Sequence, residues 1–204
     1  MRRFEIINTF IKKHNFINYL EIGVFKGENI RNVIAEHKDG VDPTTELGKH
    51  IPEINYPVTS DEFFELIKGH DIKYDIVFID GLHHTEQVDK DIDNSLNHLV
   101  DNGIIVMHDC YPRKEEYSLV PRRTGIWNGD VYKSALKFRQ KYPFKFRTVN
   151  TDSGCGIIFN NVKENLKCPS QELQQGIESW NYFDNNRDKL LNLITVDEFK
   201  TTYQ

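Results

Sequence analysis

The residues best suited to chemistry stand directly after short apolar runs. The stretch N-Y-L-E-I-G-V-F-K-G, residues 18–27, places Glu21, Gly23 and Gly27 at the end of one such run. Glycine lets a backbone turn sharply and approach a ligand with no Cβ in the way. A helix opening just beyond would offer unpaired N–H groups. A pyrophosphate site would carry Gly-x-Gly-x-x-Gly, but the spacing here is Glu-x-Gly-x-x-x-Gly. An acid so near the ligand repels a pyrophosphate and welcomes an ammonium group. Asp42 closes the next run, Gly40-Val41-Asp42-Pro43. It suits ribose hydroxyls at a second strand end and equally suits a turn before proline. Ser60-Asp61, Asp80 with His83 and His84, and His108-Asp109 complete a set of five polar strand ends.

Alternating strands and helices must position these groups. Phe4, Ile7 and Ile11, with Ile6 and Phe10 beside them, predict an amphipathic helix over residues 3–14. Tyr19 to Val24 reads as the first strand, and Gly27-Glu28-Asn29 opens a helix with Ile30, Val33 and Ile34 inward. Residues 44–52 read as a loop or a short helix, and Tyr56 to Thr59 as a third strand. Ser60-Asp61 should then cap a helix carrying Phe63, Phe64, Leu66 and Ile67. Tyr74 to Gly81 is the clearest strand, apolar on both faces as in a central parallel position. A helix over 84–100 follows, ended by Asn102-Gly103, then a strand from Ile104 to Met107. Residues 111–129 form a long irregular loop of a kind that is usually functional or disordered. Asp130 should cap a helix with Val131, Ala135 and Phe138 inward. Phe144–Thr151 and Gly156–Asn160 read as a closing antiparallel pair. The tail is polar and helical, with Leu190, Leu193 and Ile194 as one stripe and a capping-box spacing at Thr195-Val196-Asp197-Glu198. This order predicts an α/β sheet with right-handed crossovers. In such sheets ligands bind outside the carboxyl ends of the strands.

Residues 19–27, Y-L-E-I-G-V-F-K-G, resemble motif I of the class I S-adenosylmethionine-dependent methyltransferases. Phe78-Ile79-Asp80-Gly81-Leu82-His83-His84-Thr85-Glu86, then Asp91, then Gly103-Ile104-Ile105-Val106-Met107-His108-Asp109, are similar to the branch often labelled methyltransferase domain 24. The likeness runs from about residue 16 to 160, with 161–204 a helical extension of the same domain. It implies a Rossmann-like three-layer sandwich with a seven-stranded, mostly parallel sheet of order 3-2-1-4-5-7-6, the last strand antiparallel. It also implies S-adenosylmethionine held by Glu21, Gly23, Phe25, Gly27, Asp42, Ser60, Asp61 and Asp80, with Asp80 and His83 between cofactor and acceptor. Methyl transfer from a sulfonium is an in-line displacement that depends on alignment and exclusion of water. A hydroxyl acceptor needs a base, usually histidine. His83 is favoured, with His108 and Asp80 beside it. Related O-methyltransferases hold magnesium with carboxylates at the ends of strands four and five, the places of Asp80 and Asp109. Cys110 stands where those enzymes have a second oxygen ligand, and His108 could favour a softer metal. The loop 111–129 then reads as an acceptor lid contributing Tyr111, Arg122, Arg123 and Trp127, with Asp130 at its end. Its aromatic and arginine content suits a sugar or an anionic metabolite.

Bulk properties narrow the alternatives. A net charge of −5 gives no broad pull towards nucleic acid or anionic lipid. No apolar run approaches the length of a membrane span, and the basic start leads to no signal-peptide region. Three scattered cysteines, Cys110, Cys155 and Cys168, read as free thiols in a reducing compartment, so the expected location is cytoplasmic. A nicotinamide-dependent oxidoreductase and a non-catalytic module of the same fold are the competing readings. The polar C-terminal helices leave a homo-oligomer open.

Overall fold

Side chains of the central strands alternate between two apolar faces, so the sheet is sandwiched. The computed structural model describes residues 1–43, 50–164 and 168–204. Parallel strands β1 (Asn18–Ile22), β2 (His37–Val41), β3 (Tyr74–Ile79) and β4 (Leu99–Met107) pair with antiparallel β6 (Cys155–Lys163). That strand pairs with β5 (Phe144–Val149), and β5 with the two-residue β7 (Leu193–Ile194). The order is β2-β1-β3-β4-β6-β5-β7. This is the expected seven-stranded, mostly parallel α/β sheet of the Rossmann-like methyltransferase fold, with β6 as the reversed strand.

Each face has its own core. Leu20, Val77, Ile79, Ile105, Met107 and Ile158 face α3 (Ser60–Leu66), α4 (Thr85–Asn97), α6 (Val131–Lys141), α7 (Ser170–Glu178) and α8 (Trp180–Leu190). Tyr19, Ile76, Phe78, Ile104, Val106 and Ile157 face α1 (Arg3–His14), α2 (Glu28–Asn32) and α9 (Val196–Tyr203). Phe10 of α1 meets Phe159, Phe199 and Tyr203 edge-on, which locks the two ends of the chain against one face. Among the described residues, no helix is long and apolar enough to cross a membrane.

Several local expectations are corrected. Residues 56–59 do not form a strand. Only Val41 and Tyr56 bridge, because Pro57 has no N–H to continue a ladder. The sheet regains its seventh strand from the tail, where Leu193–Ile194 pairs with β5 instead of lying on a helical stripe. The helix after Gly27 is a single turn and leaves Ile34 half exposed. The helix after Asp80 stops at Asn97, and residues 99–103 already belong to β4, whose register shifts opposite Tyr74 and Ile76. Thr59, not Ser60-Asp61, caps α3 through a reciprocal box with Glu62. Asp130 does not cap its own helix; its Oδ1 accepts from Thr85 N at the start of α4, 2.8 Å away. The loop or short helix expected over residues 44–52 lies largely outside the described residues.

Candidate active site at the strand ends

The turn after β1 is built by glycine. Gly23 has φ +89°, and a Cβ there would fall 2.1 Å from the carbonyl oxygen of Asp80. No other residue lets the ends of β1 and β3 approach so closely. Gly27, at φ +75°, opens α2. Between them, Phe25 N donates to Asp42 Oδ2 at 2.6 Å, which ties this turn to the end of β2. Glu21 lies beneath the turn, 1% exposed. Its Oε2 accepts from the Tyr19 hydroxyl and from Asn29 Nδ2. Burial pushes the carboxyl up to about 7, against those two hydrogen bonds, which favour the charged form. Ser60 is buried and Asp61 exposed. Gln87 Nε2 lies within 3.2 Å of Ser60 Oγ and 2.9 Å of Asp61 Oδ1, and Lys90 pairs with Asp61. The same Gln87 reaches buried Asp91 at 3.1 Å, whose carboxyl burial pushes up to about 6.

Past the ends of β3 and β4 four titratable side chains converge. His83 Nε2 lies 3.5 Å from Asp80 Oδ1 and 3.3 Å from Asp109 Oδ2. His108 Nδ1 lies 3.2 Å and 3.1 Å from the same two oxygens. The outer atoms are held from behind. Arg3, from the first turn of α1, pairs with Asp80 Oδ2 and with Asp152. Asn128 Nδ2 donates to Asp109 Oδ1 at 2.7 Å. Asp152 Oδ1 faces His108 Nε2 at 3.6 Å. Burial alone would lower the His108 imidazole, but Asp80, Asp109 and Asp152 push it well above its ordinary value. His83 is lowered by burial and by the His108 charge, but its hydrogen bond to Asp80 and the charges of Asp109 and Asp80 raise it overall. Burial would likewise raise Asp80, but the charge and hydrogen bonding of His108, with His83 and Arg3, hold it well below the usual carboxylate range.

The lid, which holds the short helix α5 (Glu115–Ser118), closes on this cluster through a few residues only. The Trp127 ring stacks on His83 at 5.0 Å and meets His84 edge-on. Its Nε1 donates to Leu119 O at 2.7 Å, and Arg122 lies over its outer side. Gly129 packs so tightly on His83 that a Cβ would lie 1.8 Å from the His83 carbonyl. Of the expected lid residues, Trp127 is thus against the cluster and Asp130 beside it, fixing the start of α4. Arg122 bonds the lid's own carbonyls at Thr124 and Gly125, Arg123 is exposed, and Tyr111 packs under Gly154 and Arg187. Arg3 and Asp152 were not legible as site residues. The basic start and the Asp152-Ser153-Gly154 turn were the only signals.

Asp80, His83 and Asp109 each offer one ligand atom, all within 4.8 Å of one another, so two carboxylate oxygens and one imidazole nitrogen stand where a divalent ion would be held. Cys110 supplies no further ligand, because its Sγ is buried against the carbonyls of Met107 and His108.

The strand order, with one reversed strand, is that of the Rossmann-like methyltransferase fold. Residues 20–110 match the family model described as a methyltransferase domain, the branch whose motifs the sequence resembles. Three solved structures show the same fold at low identity. The O-methyltransferase from Bacillus cereus in complex with SAH is 10% identical, with 78% of this chain and 80% of that one covered at TM-score 0.59. A Staphylococcus aureus protein assigned as a caffeoyl-CoA O-methyltransferase is 15% identical, with 79% and 85% covered at TM-score 0.58. The MycE methyltransferase of the mycinamycin pathway, in complex with Mg, SAH and mycinamycin VI, is 13% identical, with 81% and 50% covered at TM-score 0.50. Among curated proteins none matches.

Proposed function

We propose that this protein is an S-adenosylmethionine-dependent O-methyltransferase acting on a hydroxyl of a small molecule, a sugar or a glycan. The observation that carries this reading is the cluster of Asp80, His83, His108 and Asp109 directly beside the Gly23 turn. The cofactor lies over that turn. Gly23, Phe25 and Gly27 offer a backbone it can approach, with Glu21 beneath and Asp42 at the ribose. Ser60 and Asp61 stand towards the adenine. The acceptor hydroxyl sits at the cluster, its oxygen in line with the methyl carbon. The O–C bond forms as the S–C bond breaks, the hydroxyl proton passes to the His83 imidazole, and the products are a methyl ether and S-adenosylhomocysteine. Arg3, Asp152 and Asn128 hold the cluster in place, so little reorganisation accompanies the step.

The lid supports a polyhydroxylated acceptor. A cavity of about 280 Å³ is lined by Glu115, Ser118, Leu119, Asp130, Tyr132 and Trp180. Aromatic faces beside carboxylates suit sugar rings and their hydroxyls. Leu119 of its wall accepts the hydrogen bond of Trp127, so cavity and cluster are joined through one loop. Tyr111, Arg122 and Arg123 are not among the residues lining it.

Calorimetry with S-adenosylhomocysteine and with NADH tests the reading. Binding of the first and not the second is expected, and Asp42→Ala should weaken it about ten- to a hundredfold, as loss of a charged hydrogen bond to the turn would. NADH binding without S-adenosylhomocysteine binding would overturn it in favour of an oxidoreductase.

A further inference from the structure

We propose that the cavity beside the lid is a subsite for a protonated amine, so that the acceptor is an amino sugar or a similar polyhydroxylated amine. The inference rests on the methyl-transfer reading and names its substrate class. The amine is the anchor, and a hydroxyl of the same molecule takes the methyl group. Three parts of the chain build the cavity. The lid gives Glu115, the start of α6 gives Asp130 and Tyr132, and the C-terminal extension gives Glu178 and Trp180. At about 280 Å³ it falls just below the range of about 300–1,000 Å³ common for drug-sized ligands, so it takes a single ring. Asp130 follows Gly129, which packs on the His83 carbonyl, so a ring anchored here adjoins the cluster.

The charge of the lining is the first observation. Glu115, Asp130 and Glu178 meet one cation, Lys133, and two negative charges are left over. Lys133 Nζ stands 3.6 Å from Asp130 Oδ2 and 6.0 Å from the centre of the Tyr132 ring, so it answers Asp130 alone. Glu115 makes no ion pair among the described residues, and Glu178 accepts from the neutral Gln174 Nε2 at 2.7 Å. Arg187 lies over the Trp180 ring at 5.9 Å, but it is paired with Asp184 and donates to Pro112 O at 3.1 Å. An anionic acceptor would rest on Arg122 and Arg123, and neither lines the cavity.

Tyr132 is the second observation. The residue is 3% exposed, and its ring is held against Phe183 at 4.1 Å and edge-on to Trp180 at 5.9 Å. Yet its hydroxyl, on the cavity wall, makes no hydrogen bond among the described residues. Leaving a buried polar group unpaired is costly, and a ligand in the cavity would satisfy it. Burial, then the charges of Asp130 and Glu115, push this phenol above its ordinary value, so both carboxylates act where the hydroxyl stands. An ammonium there meets an oxygen acceptor, carboxylates and aromatic faces, the surroundings that recognise a cation and repel an anion. The apolar face of a sugar ring has Trp180 to pack on.

The test titrates the full chain with glucosamine, N-acetylglucosamine and glucuronate at pH 7, read by ligand-detected NMR. The first carries the ammonium, the second the same ring without the charge, and the third the opposite charge. Glucosamine should bind about tenfold or more tightly than N-acetylglucosamine, as a charged hydrogen bond would give, and glucuronate should bind most weakly. Glu115→Gln and Glu178→Gln, at exposed positions that spare the fold, should each lower glucosamine affinity about three- to tenfold and leave N-acetylglucosamine unchanged. Tyr132→Phe, which keeps the ring, should weaken glucosamine about tenfold. Asp197→Asn, an exposed acid of α9 on the other face of the sheet, should change nothing. Circular dichroism of each variant shows that it is folded. Absence of glucosamine binding, equal binding of glucosamine and N-acetylglucosamine, tighter binding of glucuronate, or unchanged affinity in the two glutamine variants would overturn the inference. S-Adenosylhomocysteine binding is measured alongside. Its presence without the glucosamine preference sinks only this inference, and the preference without it supports the subsite while removing the methyl-transfer reading.

Discussion

Glu21→Gln should change the pH dependence of stability in a defined window. The Glu21 carboxyl is buried and pushed up from 4.5 to about 7. The native state therefore keeps a proton that the unfolded chain has already lost between those values, and raising the pH across the window favours unfolding. At about 1.4 kcal/mol per pH unit the loss amounts to about 3 kcal/mol, complete near pH 7 and level above it. Glutamine mimics the protonated acid. Its amide oxygen can keep the bonds from Tyr19 and Asn29, and its NH2 replaces the O–H. Urea denaturation of both proteins from pH 4.5 to 8 isolates the effect, because every other group titrates alike in both. The stability of the variant relative to the wild type should rise by about 3 kcal/mol from pH 4.5 to 7 and then stay flat. A constant difference would refute the reasoning, since it would mean that Glu21 ionises in the native state as it does unfolded. A cofactor ammonium bound over this turn would favour the carboxylate. Calorimetry at pH 6 in two buffers of different ionisation enthalpy should then show a fraction of a proton released on S-adenosylhomocysteine binding by the wild type and none by Glu21→Gln.

Three further outcomes follow from the same geometry. Gly23→Ala combines a positive φ with a Cβ overlapping the Asp80 carbonyl; it should cost about 3 kcal/mol or more in thermal or urea unfolding, and an unchanged midpoint would show that the two strand ends separate easily. Trp127→Ala removes the ring stacked on His83 and should raise the KM for acceptor several-fold, in line with about 1 kcal/mol for an aromatic pair, while S-adenosylhomocysteine affinity stays the same. A loss of cofactor affinity instead would place the ring on the wrong side of the reaction. Arg3→Gln withdraws a cation that helps hold Asp80 and Asp152 below the usual carboxylate range. Depressed carboxyls contribute stability above their unfolded values and lose it as pH falls, so the wild type should lose more stability than the variant between about pH 5 and 2. Parallel acid-unfolding curves would show that Arg3 contributes nothing there.

The sheet was legible because burial on both faces leaves a mark in one dimension. Ile76 to Ile79 are apolar without a break, and the order of strands and helices then admits few topologies. The edges left weaker marks. Tyr56 to Thr59 has strand-like residues, but Pro57 stops pairing after one bridge, while Leu193 and Ile194 fit a helix stripe as well as a strand and were decided by the open edge of β5. The site divides in the same way. Asp80 with His83, and His108 with Asp109, are near neighbours in sequence at the ends of strong strands, so their meeting followed from the parallel pairing of β3 and β4. Arg3 reaches Asp80 across 77 positions of chain, and its bond to Asp152 spans 149. Nothing local marks them, because helix α1 needs a face of Ile6, Ile7 and Phe10 and is indifferent to which charge its first turn carries. The docking of α1 against the sheet, carried mainly by that apolar face, is what delivers the guanidinium to Asp80. A charge that holds Asp80 is thereby set by the packing of Ile7 and Phe10 further along the same helix face. A truncation of α1 should for that reason disturb the cluster before it unfolds the sheet.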